Sequence, residues 1–112
     1  MKHFTLLDGG LSRELQRLGA PFRQPEWSAL SLIETPELVK QAHKNFIDAG
    51  ADIITTNCYA LVPYHIGSET YEARGEELMA LAVEKASQAV RESGTKTRIA
   101  ASLPPIFGSY RP

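Results

Sequence analysis

At 112 residues, with 43% hydrophobic and 22% charged side chains, the chain has the composition of a folded globular domain and not of a disordered segment. Its net charge of −1 gives no electrostatic reason to expect nucleic acid or an anionic membrane as a partner. No run approaches the roughly 18 apolar residues of a membrane span, and the one cysteine, Cys58, with three scattered histidines makes no recognisable metal set.

The N-terminus, Met1 to Asp8, is too short and too soon acidic for a signal peptide, so a cytoplasmic setting is expected. His3 to Leu7 reads as a first strand ended by Asp8-Gly9-Gly10. Leu11, Leu15 and Leu18 recur at helical spacing, and Gly19 closes that short helix. Asp8 would sit in the strand-to-helix connection, where the two glycines let the backbone approach whatever Asp8 contacts. Pro21 and Pro25 break any helix, and Ser28 can cap a turn through Leu32. Trp27, in the same loop, is either a plug on the core or a wall of a pocket.

Thr35-Pro36-Glu37 combines a capping hydroxyl, a proline at the first helical position and an acid near the positive dipole end. The helix it starts carries Leu38, Val39, Ala42, Phe46, Ile47 and Ala49 on its apolar face and stops at Gly50. His43, beside Ala42 and Phe46, reads as structural. Ala51 to Tyr59 is the central stretch: a β-branched strand that turns polar at Thr55, Thr56, Asn57 and Tyr59. Those groups either solvate a strand exit or line a ligand site, since ligands collect at the carboxyl ends of parallel strands. A loop with Pro63 and Gly67 follows. Glu72 to Ser93 is the longest helix, with Leu78, Leu81, Ala82, Ala86, Ala89 and Val90 inside and Gly94 as its stop. Its charges, including Lys85 and Glu92, read as a solvated face. Thr97 to Leu103 is a third strand that exits into the breaker-rich run Pro104 to Tyr110.

Strands alternating with helices imply right-handed βαβ crossovers and a parallel sheet of the α/β class. Three strands that look buried on both faces are too few for a closed unit, and a (β/α)8 barrel needs about 250 residues. The expectation is a partial TIM (β/α)8 barrel: residues 1–112 as the first two to three βα units of one incomplete domain.

Taken together, Asp8 to Gln16, Trp27-Ser28-Ala29, Pro36 to Val39 and Ala49 to Tyr59 resemble the N-terminal part of the homocysteine S-methyltransferase family. Ala100 to Pro105 resembles the family's next strand, and the resemblance runs in order over nearly the whole chain. It implies transfer of a methyl group from an onium donor (S-methylmethionine, S-adenosylmethionine or betaine type) to homocysteine, giving methionine. It also implies a zinc ion, held by three cysteines later in the barrel and outside this chain, that binds the homocysteine sulfur as a thiolate; Cys58 does not match them. By the same resemblance Asp8 would hold the homocysteine amino group with the Gly9 backbone beside it. Trp27 and Tyr59 would wall the donor, as ring faces attract cations. Asn57 and Ser102 would offer further polar contacts. Ser12-Arg13 replaces the family's usual Gly-Thr, and Pro104 stands where Gly is common. The resemblance implies small-molecule partners, homocysteine and the donor, with catalysis expected of the full-length protein and not of this chain alone. A different class of reading is a non-catalytic fragment that associates with itself or a partner through open sheet edges. A complete flavodoxin-like domain is disfavoured, because Asp8-Gly9-Gly10 lacks a third glycine for a phosphate cradle.

Overall fold

The computed structural model describes residues 4–24 and 26–103. The expected start of the first strand at His3, the break at Pro25 and the loop Pro104 to Tyr110 lie outside them. The elements run α1 (Leu11–Arg17), α2 (Ser28–Glu34), α3 (Pro36–Asp48), β1 (Ile53–Thr55), α4 (Pro63–Ile66), α5 (Ser68–Ser93) and β2 (Arg98–Ala100).

The stop signals act as their chemistry requires. Gly94 caps α5 with φ of 66°, and its N–H donates to the Val90 and Arg91 carbonyls at 3.2 Å. Gly50, at φ of 106°, turns the chain from α3 into β1. The start signals fare less simply. The Thr35 hydroxyl does not cap α3; it donates back to the Ser31 carbonyl at 3.0 Å. α2 ends one residue before α3 begins, so the orphan carbonyls of α2 lie nearer than the orphan amides of α3. α2 is itself a full helix to Glu34, not one turn to Leu32, and Ser28 is its first residue, not its cap. The loop expected between Ala60 and Tyr71 holds α4, seeded by Pro63 at its start, and α5 begins at Ser68, four residues before Glu72.

β1 and β2 pair in parallel, with Ile53 opposite Arg98, Ile54 opposite Ile99 and Thr55 opposite Ala100. The expected first strand is reduced to one parallel bridge between Leu7 and Ile53. It is fastened where Asp8 N–H donates to the Ile53 carbonyl at 3.0 Å and Asp52 N–H to the Leu6 carbonyl at 2.7 Å. The Asp52 carboxylate accepts the Leu6 N–H at 2.8 Å, a side-chain bond where a longer strand would use backbone.

Two apolar clusters form the core. Leu15, Leu32, Val39, Ala42, Leu61, Leu78 and Ala82 knit the helices together, and Cys58 is buried with them. Ile47, Ala51, Ile54, Ala86 and Ala89 press α3 and α5 onto one face of β1. Among the described residues no element covers the opposite face, which corrects the expectation of strands buried on both sides. Leu7, the partner of Ile53, is 62% exposed, and side chains alternate across a strand, so only the Ile54 side is covered by helices.

The charges on α5 are likewise not all solvated. Lys85 is buried along its stem and its ammonium donates to Glu37 on α3 at 2.7 Å and to Gln88 at 3.2 Å. Glu92 receives Lys40 at 3.0 Å and Lys44 at 3.3 Å. These contacts staple α5 to α3, and the Lys85 ammonium in particular holds the Glu37 carboxyl below its usual range. No helix among the described residues is long and apolar enough to cross a membrane.

Candidate functional site

Three chain exits meet at the carboxyl end of the small sheet: the turn after Leu7, the polar end of β1 and the exit of β2. Between them and α1 lies an open cavity of about 700 Å³. Asp8, Gly9, Trp27, Asn57, Tyr59 and Ser102 all line it. The sequence positions singled out beforehand, spread over 95 residues of chain (Ser102 against Asp8 being 94 apart), are thus brought to one place.

Asp8 is fixed by the strand it faces. Thr55 donates its backbone N–H to one carboxylate oxygen at 2.9 Å and its hydroxyl to the other at 3.1 Å. A carboxylate has about four acceptor sites, so capacity remains for a cationic or N–H donor from a ligand. Gly9 has a packing reason to be glycine, since a Cβ there would lie 3.1 Å from the ring of Phe46. Behind Asp8, on α3, His43 is completely buried, and neither ring nitrogen has a hydrogen-bond partner among the described residues. Burial pushes its pKa down to about 4, against the smaller opposing pull of the Asp8 charge, so the ring is neutral at pH 7.

Asn57 is buried and its amide donates to the Ser28 carbonyl at 3.1 Å, tying the β1 exit to the start of α2. The buried Thr56 hydroxyl accepts the Ser102 N–H at 3.2 Å, tying the same exit to the end of β2. Asn57 therefore shapes the cavity wall as well as lining it. Trp27 takes φ of 52°, the one non-glycine residue in the described structure with positive φ. Such a conformation costs on the order of 1–3 kcal/mol, and here it is held by the Trp27 N–H donating to the Arg23 carbonyl at 2.8 Å. The Trp27 ring meets Phe22 edge-on, with centroids 5.7 Å apart, at the cavity wall. Trp27 is thus both packed and cavity-lining, and Tyr59 remains 41% exposed.

Sequence reasoning gave no site role to Phe22, Gln16 or Arg13, the last noted only as a departure from the family's usual residue, yet all three line the cavity. Phe22 sits in an irregular run with no periodicity to flag it. Arg13 and Gln16, three apart on α1, share a helical face that the apolar pattern marks only as outside.

Among the described residues no group of three or more His, Cys, Asp or Glu side chains could hold a metal ion, and Cys58 is buried in the core beside the cavity without lining it. The donor set of the described residues therefore does not by itself fit a metal ion.

The sequence model of the family described as Homocysteine S-methyltransferase matches residues 5–111. Homocysteine S-methyltransferase 1 of Zea mays is 37% identical over 101 residues, covering 89% of this chain and 31% of the relative. The protein of the same name from Arabidopsis thaliana is 39% identical over 86 residues, covering 76% and 26%. Selenocysteine Se-methyltransferase of Brassica oleracea var. italica is 36% identical over 90 residues, covering 80% and 23%. The chain thus spans about a quarter to a third of the length of these curated relatives. In three dimensions it is similar to the crystal structure of the homocysteine methyltransferase MmuM from Escherichia coli, metallated form. The TM-score is 0.74 at 28% identity, over 93% of this chain and 38% of that one. The fold is α/β and similar to that of a homocysteine methyltransferase, and the chain belongs to the homocysteine S-methyltransferase family.

Proposed function

We propose that residues 1–112 are the N-terminal part of a single (β/α)8 barrel, and that the whole protein transfers a methyl group from an onium donor to homocysteine. The observation that carries this reading is the Asp8 carboxylate, held at the mouth of a cavity at the strand carboxyl ends by two bonds from Thr55. Ligands of α/β barrels collect at that end.

In this reading Asp8 holds the homocysteine ammonium, with the Gly9 backbone beside it. Trp27 and Tyr59 face the positive donor, whose charge a ring face attracts and whose water they exclude. Asn57 and Ser102 fix the strand exits and offer polar contacts. In the transfer, an electron pair on the homocysteine sulfur forms the new carbon–sulfur bond as the donor's bond to its methyl carbon breaks. The donor heteroatom keeps the electron pair of the bond that breaks and becomes neutral, the thiol proton is released, and the product is methionine. A zinc ion that holds the thiol as thiolate would take its cysteine ligands from outside this chain. A cytoplasmic setting belongs to the same proposal.

The test is methyl transfer to homocysteine by the protein at its natural length, with S-methylmethionine, S-adenosylmethionine and betaine as donors. Turnover that a chelator abolishes and zinc restores is the expected result. Absence of transfer from all three donors by folded protein contradicts it.

A second reading rests on the apolar side chains that the small sheet leaves exposed, on its bare face and along its edges. Leu6, Leu7, Ile99 and Leu103 are all more than a third exposed, and an uncovered sheet is an association hazard. A chain that ended here would act only by pairing with itself or a partner, and it would run as an oligomer.

A further inference from the structure

Of the described residues that line the cavity, only Asp8 and Arg13 carry a formal charge, and the two charges are opposite. The two arginines of α1 are in different situations. Arg17 is taken up by Glu14 in a two-pronged bond, Nε to one oxygen at 2.7 Å and an η-nitrogen to the other at 2.8 Å. Glu14 also receives the Asn45 amide at 2.6 Å, and the Arg17 guanidinium together with that amide holds its pKa down at about 2. Glu14 is thus satisfied and does not draw Arg13 away. Arg13 is exposed at the rim of the cavity and has no hydrogen-bond or ion-pair partner among the described residues. Gln16, one turn along the same face, puts an amide beside it.

An unpaired guanidinium and a clamped carboxylate on one cavity are complementary to a zwitterion. A guanidinium binds a carboxylate through two parallel N–H bonds, which fixes orientation as well as charge. We infer that Arg13 is the carboxylate-binding residue of this cavity and that the Asp8–Arg13 pair recognises an α-amino acid, ammonium on Asp8 and carboxylate on Arg13. The inference deepens the proposed function and rests on its assignment of the cavity to amino-acid substrates. The ammonium on Asp8 is that of homocysteine, so Arg13 serves the thiol acceptor as a specificity-determining residue and the onium donor binds without it.

The experiment is calorimetric titration of the natural-length protein with two ligand pairs. One pair is L-homocysteine and aminopropanethiol, its analogue without the carboxylate. The other is S-methyl-L-methionine and the matching aminopropyl dimethylsulfonium. The unsubstituted protein is expected to prefer L-homocysteine over aminopropanethiol by roughly 10–100-fold, the usual range for a charged, two-pronged bond. Arg13→Met should bring that preference within about threefold of unity while leaving the sulfonium pair unchanged, and collapse of the sulfonium pair instead overturns the inference. Arg13→Lys, which keeps the charge and loses the fork, should retain an intermediate preference. A homocysteine preference that survives Arg13→Met overturns the inference, as does the absence of that preference in the unsubstituted protein. Methyl transfer measured on the same samples separates the two claims. A protein that turns over with its preferences untouched by Arg13→Met keeps the proposed function and loses Arg13. A protein that loses its preference with Arg13→Met but never transfers methyl keeps the amino-acid site and loses the reaction.

Discussion

The two faces of β1 are opposites. On one, Ile54 is fully buried under α3 and α5, with Ile47, Ala51, Ala86 and Ala89 around it. On the other, Ile53 and Thr55 are half-buried, and Leu7 beside them is 62% exposed. The same three-residue strand is thus finished on one side and bare on the other. Apolar burial contributes roughly 25 cal/mol per Å², so the covered face carries the stability of this chain and the bare one carries an unmet demand. The cavity lies at the end of the strand, where both regions meet.

The sharpest way to break the comparison is to cut the covered side. Ile54→Ala should cost about 2–5 kcal/mol in denaturant unfolding, the range for deleting a fully buried aliphatic side chain. Leu7→Ser in the 112-residue chain should cost less than about 0.5 kcal/mol, as exposed positions do. If further strands cover that face at natural length, the same substitution there should cost several times more. Equal costs for Ile54 and Leu7 in the short chain would erase the difference between the faces.

His43 sharpens the covered side through pH. Its pKa is lowered from 6.5 to about 4 in the folded chain, so between those values the unfolded chain binds more protons than the folded one. Stability should therefore fall as pH drops from 6.5 toward 4, by on the order of 3 kcal/mol for a shift of this size. His43→Leu should flatten that part of the curve. Below 4.5 a further loss should follow as Glu14, held down at about 2 by Arg17 and Asn45, takes up its proton. A stability curve of unchanged slope in His43→Leu would show that the ring is not the titrating group.

At the boundary, Asp8→Asn keeps the side chain's shape and one acceptor for Thr55 but removes its charge. The Michaelis constant for homocysteine at natural length should rise roughly 10–100-fold, with melting temperature little changed. A fall in kcat at constant KM would assign Asp8 to the transfer step instead. The smallest effect belongs to Cys58. Cys58→Ala should cost less than about 1.5 kcal/mol and leave the metal content of the natural-length protein unchanged, since the thiol is buried in the apolar cluster.

The parts of this architecture legible in the sequence are those set by local chemistry. Gly50 and Gly94 end helices because only their backbones take positive φ cheaply, and Pro36 starts one because it lacks the N–H a first turn leaves unused. The periodicity of α5 names Leu78, Ala82, Ala86 and Ala89 correctly as its inward stripe. The cavity residues Asp8, Asn57 and Ser102 were legible because each follows a strand, and strand exits in a parallel sheet converge. What stayed hidden depends on neighbours. Lys85 carries a charge that looks solvated until Glu37 on α3 comes within 2.7 Å of it. Thr35 looks like a cap until the end of α2 arrives first. Leu6 and Leu7 look like core until one asks which layer covers them, and Arg13 looks like surface until α1 is laid along the cavity.

If residues 1–112 begin a barrel as proposed, the bare face of β1 is covered by more of the same polypeptide. The direct test is the mass of the native protein in its source cells, detected with an antibody against α5. A single species of barrel size, about 250 residues or more, is the result expected. A species no longer than 112 residues would contradict the claim. It would leave self-association of the exposed Leu6, Leu7, Ile99 and Leu103 as the reason the chain persists.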